Sequence, residues 1–235
     1  MAIAFARRRR CIIRAMKKSL TLLLVAVAVA GLPGGAGAGR VALPAPGVDS
    51  LAAIPVCHDF GCKRMATVQL PGIEWQGVAG WFFPRAATPA EERARIARAL
   101  GWMEVLIGRR TPTHKDLALD LPPGRDLADM FPGQLDCIDE AVNTTTYMKL
   151  FVLNGLIKHH TVVEAAYRRS LFNQHWAAQI EEARSGKRFT VDSWFRPNGY
   201  PPVVQRAEQW HDLNPLTAWA DENKRPFWRR LLRGE

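Results

Sequence analysis

The spacing of apolar and polar residues changes several times between residues 51 and 204, and each change marks an element. Lys63 to Leu70 and Ile73 to Phe83 are short runs rich in β-branched and aromatic residues around Pro71-Gly72, and they predict two strands. At Thr88 the period lengthens. Thr88 can cap a helix, Pro89 suits its first turn, and Glu91 completes a capping box. Ile96, Leu100, Met103 and Ile107 then recur every three to four residues until Gly108, which predicts a helix over 88–108. Residues 109–132 carry Pro122-Pro123-Gly124 and Pro132-Gly133 and read as irregular. A second helix starts near Asp136, with Ile138, Ala141, Val142, Thr145, Met148 and Val152 as its expected buried stripe and Asn154-Gly155 as its stop. Three strands follow: His160 to Tyr167, His175 to Ile180, and Arg188 to Asp192, the last two joined by a turn at Arg184-Ser185-Gly186-Lys187. Helices followed by a strand meander predict an α+β domain with an antiparallel sheet over residues 51–204.

The ends of the chain read differently. Residues 39–50 are a Pro/Gly linker, and residues 205–235 form a tail holding Trp210, Trp219, Phe227 and Trp228 among arginines, an aromatic set able to wrap the domain. The first 38 residues read as a secretory signal. Met16-Lys17-Lys18 supplies positive charge, Leu20 to Ala30 is an apolar run too short to span a bilayer, and Ala36-Gly37-Ala38 is an A-x-A site. Cleavage is expected after Ala38, with translation beginning at Met1 or Met16. An uncleaved anchor is the poorer alternative. The expected location is periplasmic or secreted, with the membrane met only in transit.

Charge changes its meaning once the signal is set apart. The formal charge is +10, but seven of the 32 basic residues precede Ala38 and no acidic residue precedes Asp49. The remainder is close to neutral, so a nucleic-acid partner is not expected. An apolar fraction of 48% is ample for a packed core.

Export also changes the cysteine count. Past the signal only Cys57, Cys62 and Cys137 remain. An oxidising compartment favours a Cys57–Cys62 disulfide, with two separate buried thiols as the alternative. A metal site is poorly supported, because His58 beside Cys57 and Cys62 offers three clustered donors and no second knuckle. No cofactor is expected. A thiol-redox role is disfavoured by the four-residue spacing between Cys57 and Cys62, which is not C-x-x-C.

Cys137 is then an odd thiol at a helix start. Asp136 at the cap would leave it in the first turn, where free amides and the helix dipole lower a thiol pKa. The adjacent Asp136, Asp139 and Glu140 work against that. His175 opens one predicted strand and Asp192 closes the next, which supplies a base and a group to orient it. A two-residue turn at Ser185-Gly186 would put Gln179 opposite Asp192 and leave His175 ~13 Å away along the strand. A bulge or longer loop is needed to bring the pair together. His159-His160 is a rival base pair, read as a turn and strand start; His58, His114 and His211 lack partners in sequence. Asn143-Thr144-Thr145 matches a glycosylation sequon but sits inside a predicted helix.

The stretches "DCIDEAVNTTTYMKLFVLNGLI", "HWAAQI" and "FTVD", in that order over roughly residues 130–200, resemble the transglutaminase-like, papain-related cysteine peptidase superfamily. The resemblance implies a transglutaminase-like core with Cys137 as nucleophile, His175 as general base and acid, and Asp192 as the orienting carboxylate. It implies acyl transfer from a peptide or protein amide through a thioester. Gln134 and the Cys137 amide are candidate oxyanion donors. Trp176 and Trp194 are candidate groove residues that shield the site or bind an apolar group. The superfamily also includes members without activity, so an inert binding or assembly module is the alternative.

Overall fold

The computed structural model describes residues 43, 44, 46–118, 131–169 and 174–211. The predicted signal segment and the tail beyond residue 211 lie outside them. The chain folds as an α+β domain. A two-stranded antiparallel hairpin, β1 (Ile54–His58) and β2 (Arg64–Val68), leads into α1 (Gly72–Gly80) and α2 (Pro89–Gly108). A 3-10 turn at Pro112–Lys115 precedes α3 (Cys137–Leu153). A four-stranded antiparallel meander follows in the order β3 (His160–Arg169), β4 (Gln174–Glu182), β5 (Arg188–Asp192) and β6 (Val203–Arg206), and α4 (Ala207–His211) ends the described chain.

Most predicted elements form where the pattern put them. Thr88 Oγ1 accepts the Glu91 amide at 3.1 Å, and Ile96, Leu100, Met103 and Ile107 of α2 are buried. The Arg188–Asp192 strand has the predicted bounds. Three differences are informative. Ile73 to Phe83 is not a strand. Pro71 turns the chain, and Trp75 and Val78, three residues apart, are the two side chains α1 buries, which is a helical spacing. Strand β1 escaped notice because Cys57 and His58 interrupt its apolar pattern, although all but Pro55 is buried. On α3, Val152 is exposed while Tyr147, Leu150 and Phe151 are buried along with many polar residues. The helix packs against β1, α2 and three strands of the sheet, so a single apolar stripe does not describe it.

The core is built from Ile96, Leu100, Met103, Leu106 and Ile107 of α2, Met148, Leu150 and Phe151 of α3, and Ile180, Phe189 and Val191 of the sheet. The expected boundary at residue 204 falls inside β6, whose Val203 to Arg206 pair with Asp192 to Phe189. Among the described residues no helix is long and apolar enough to cross a membrane.

Candidate functional site

The start of α3 is held by side-chain contacts from its own cap and from the β1–β2 loop. Asp136 caps it, its Oδ1 accepting the amides of Ile138 at 2.9 Å and Asp139 at 3.0 Å. Asp139 Oδ2 accepts the Asp136 amide at 3.2 Å in return, so a capping box closes around Cys137. Cys57 and Cys62 form a disulfide whose loop docks on this helix. The Cys62 amide donates to Asp139 Oδ1 at 2.7 Å. Asn143, one helical turn further on, accepts the Cys57 amide at 2.7 Å and donates to the Cys57 carbonyl at 2.8 Å. Within the loop Asp59, Phe60, Gly61 and Cys62 all have left-handed φ, from 56° to 66°. For the non-glycine residues that conformation is unfavourable by roughly 1–2 kcal/mol each, so cross-linking and docking must hold it.

The approach to the helix is fixed from the same side. Asp59 donates its amide to the Gln134 carbonyl at 3.1 Å and accepts the Gly133 amide at 2.6 Å. Gly133 has φ 90°, and a Cβ there would lie 2.1 Å from the Pro112 carbonyl oxygen, so the chain passes too closely for any side chain. Cys137 emerges from this frame half-buried and outside any disulfide.

His175 and Asp192 meet. His175 Nε2 and Asp192 Oδ2 are 2.7 Å apart, and both side chains are about 1% exposed. The hairpin achieves this with a longer turn than two residues. Ala178 pairs with Val191 and Glu181 with Arg188. Continuing that register puts Asp192 level with Ala177, two residues from His175 on the same face of the strand. Such diagonal neighbours are within reach of long side chains. The His175 ring is enclosed by Trp194 at 4.6 Å, Phe195 at 5.4 Å and Trp210 at 5.4 Å between centroids. Its Nδ1 is buried and has no hydrogen-bond partner, so no hydrogen bond joins it to the thiol. Cys137 nevertheless lies beside this pair. The backbone amide of Trp176, the residue after His175, hydrogen-bonds its sulfur, and the Asp192 charge acts on it.

The electrostatics reverse the simple helix-start expectation. Burial pushes the Cys137 thiol up to about 12. The Trp176 amide and the amide of Cys137 itself pull it down, but the charges of Asp136 and Asp192 add to the rise. The resting site therefore holds a neutral thiol. Around the same helix, buried carboxyls act on one another. Burial raises Asp139 to about 8, helped by the charge of Asp136. Burial raises Glu104 to about 8 as well, against a hydrogen bond from the Gly199 amide at 2.8 Å. Glu140 rises well above the carboxylate range through burial and the charges of Glu104, Asp116, Asp139 and Asp192. Burial thus opposes ionisation of Asp139 and Glu140, two of the three acids nearest Cys137 in sequence.

Gln134 has a different use from the oxyanion role expected of it. Its Nε2 donates to the Lys115 carbonyl at 2.7 Å and its Oε1 accepts the Leu117 amide at 3.2 Å, which makes it a strut between the 3-10 turn and the approach to α3. Trp176 is buried against Tyr167, with centroids 4.5 Å apart, and Trp194 lies on the His175 ring. His160 forms its own buried pair with Glu92 at 2.9 Å, its other nitrogen 3.1 Å from Arg93 Nη1.

Sequence reasoning missed Trp210, Asn143 and Asp59. Trp210 Nε1 donates to Asp192 Oδ2 at 2.7 Å. Only the aromatic enrichment of the tail hinted at it. In sequence, Asn143 reads as part of a sequon and gives no sign of a backbone clamp. Comparison with known proteins finds no matching family model, no matching curated protein and no matching solved structure.

Proposed function

We propose that this chain is an exported thiol acyl-transfer enzyme, a cysteine peptidase, amidase or transglutaminase-like acyltransferase acting on a peptide or protein amide. A transglutaminase-like, papain-related core is part of the same reading. The observation that carries it is the buried His175–Asp192 pair with Nδ1 unpartnered, together with a half-buried thiol whose sulfur meets the amide of the next residue, Trp176. In this reading the thiol rests neutral and His175 Nδ1 takes its proton as substrate arrives. The sulfur forms a bond to the amide carbonyl carbon, whose π electrons move to oxygen. The Cys137 amide is an oxyanion donor, since the Asp136 cap takes the amides of Ile138 and Asp139 instead. His175 returns the proton to the leaving amine as the C–N bond breaks, giving a thioester. Water or a second amine, deprotonated by His175, then releases the acyl group. The Cys57–Cys62 disulfide supports export, since such bonds persist in oxidising compartments.

A second reading is an inert relative serving as a binding or assembly module. The elevated thiol and the absence of a thiol–imidazole hydrogen bond favour it. Acylation separates the two. Incubated with p-nitrophenyl acetate, the full chain should acquire an acetyl group on Cys137, detected by peptide mass spectrometry, and turn it over. His175→Ala should acetylate far more slowly. Acetylation of Cys137 at equal rates in both proteins would leave the inert module standing. Added primary amine then tells transfer from hydrolysis by the product formed.

A further inference from the structure

Trp210 stands at the point where α4 crosses the end of the sheet. It is fully buried, and the small side chains of Ala166 on β3 and Ala177 on β4 pack against its indole. Two contacts tie it to the His175–Asp192 pair. Its Nε1 is 2.7 Å from Asp192 Oδ2, the oxygen that His175 Nε2 also approaches at 2.7 Å. Its ring also stacks on the imidazole with an interplanar angle of 28°. Arg168, level with His175 on the neighbouring strand, holds Trp210 in turn. The guanidinium lies 4.5 Å over the indole and donates to the Trp210 carbonyl.

An indole N–H can only donate. Asp192 Oδ2 is therefore an acceptor in its contact with Trp210, which favours the form of that oxygen without a proton of its own. With that oxygen accepting, His175 Nε2 at 2.7 Å is the nitrogen that donates to it. In the neutral ring the lone pair then resides on Nδ1, the buried atom without a partner. The donor on α4 thus biases which imidazole nitrogen is basic, by favouring the accepting form of Asp192.

We infer that Trp210 is a positioning residue for the His175–Asp192 pair: through its N–H to Asp192 and its stack on the imidazole, it holds His175 as the Nε2–H tautomer with Nδ1 open toward Cys137. This rests on the proposed acyl-transfer reading for its purpose but not for its test. The segment that supplies Trp210 follows the sheet in sequence, so the described fold is incomplete as a site without α4.

The test is nitrogen NMR of the neutral histidine rings in the full chain, with the His175 signals assigned by their loss in His175→Gln. The wild type should show Nε2 protonated and Nδ1 unprotonated. Trp210→Phe keeps a stacking ring and removes the donor, and its His175 signals should move toward an average of the two tautomers. Arg168→Gln, which leaves the indole N–H in place but removes its clamp, should give a smaller movement and serves if Trp210→Phe does not fold. A folded Trp210→Phe protein with unchanged His175 signals overturns the inference, as does a wild-type ring protonated on Nδ1. Cys137 acetylation should fall about tenfold in Trp210→Phe, the low end for losing a hydrogen bond to a charged group. If acetylation shows no His175 dependence while the tautomer still shifts, the enzyme reading fails and the positioning role stands.

Discussion

Among the buried histidine–carboxylate pairs of the described residues, two have nearly the same contact distance, and they are not alike. His160 Nδ1 is 2.9 Å from Glu92 Oε1, and its Nε2 is 3.1 Å from Arg93 Nη1. Glu92 also accepts the amides of Lys158 at 2.7 Å and His159 at 2.8 Å. Every polar atom there has a partner, and the carboxyl is pinned on both oxygens to the turn that starts β3. His175 is bound on one side only, to Asp192, and its Nδ1 is left open inside the protein. An unmade hydrogen bond in a buried place destabilises by roughly 1–3 kcal/mol, so it persists only where something else holds the ring. Three aromatic rings and the Trp210 donor do so here. A saturated pair is a structural joint; a pair with one vacant nitrogen is prepared to accept a proton.

The contrast can be broken by exchanging the two sites in experiment. The largest effect expected is from His175→Ala, which should lower Cys137 acetylation on the order of a hundredfold or more, the range for losing a general base. His160→Gln should leave the rate of the folded protein unchanged. Equal losses in the two variants would erase the distinction. In urea unfolding the order reverses: His160→Gln should destabilise by about 2 kcal/mol, because Glu92 and Arg93 lose a buried partner. Asn143→Ala should cost a similar amount, since the amide and carbonyl of Cys57 are both left unpaired on α3. A stability loss near zero there would mean that the disulfide loop is not held through Asn143.

The two regions should also differ in pH dependence. For Glu92, burial alone would raise the carboxyl, but hydrogen bonds from His160, Lys158 and His159 together bring it below its ordinary value. It contributes stability above the ordinary carboxylate range, and this is lost as pH falls through its lowered folded value. Glu104 and Asp139 are raised to about 8. Between their ordinary values and about 8 the folded state holds protons that the unfolded state has released. Stability from this cluster is therefore present in acid and declines as pH rises through that window. Glu104→Gln should flatten the decline between about pH 5 and 8 in urea midpoints, and Glu92→Gln should not. A decline of unchanged slope in Glu104→Gln would contradict the crowded-acid description of α3.

The elements that were legible in the chain are those whose signals are local. The Thr88 cap, the Asp136 cap and the Asn154-Gly155 stop are each decided by a few consecutive residues, and the Cys57–Cys62 disulfide is suggested by short spacing once export is expected. Residues Ile73 to Phe83 were misread because their apolar content satisfied a strand while the three-residue spacing of Trp75 and Val78 carried the helix. Cys137, His175 and Asp192 were legible as residue types on elements in order. Their chemistry was not. The elevated thiol depends on burial and on the charges of Asp136 and Asp192, and the latter is 55 positions away in sequence. Gln134 looked like an oxyanion donor because it lies just upstream of the thiol, yet its amide faces the 115–117 chain. Trp210 reaches Asp192 only because β6 returns antiparallel to β5 and sets α4 beside the end of the sheet.

The most direct measurement is the rate at which iodoacetamide alkylates Cys137 in the full chain from about pH 5 to 10, counted on the Cys137 peptide so that Cys11 does not contribute. If His175 Nδ1 serves as its base, the wild-type rate at neutral pH should exceed that of His175→Ala by at least about tenfold, with a His175-dependent plateau well below the titration of the thiol itself. If the two proteins instead superimpose, both rising steadily toward the alkaline end as an unassisted thiol near 12 would, then His175 is not the base of Cys137 and the acyl-transfer reading is wrong.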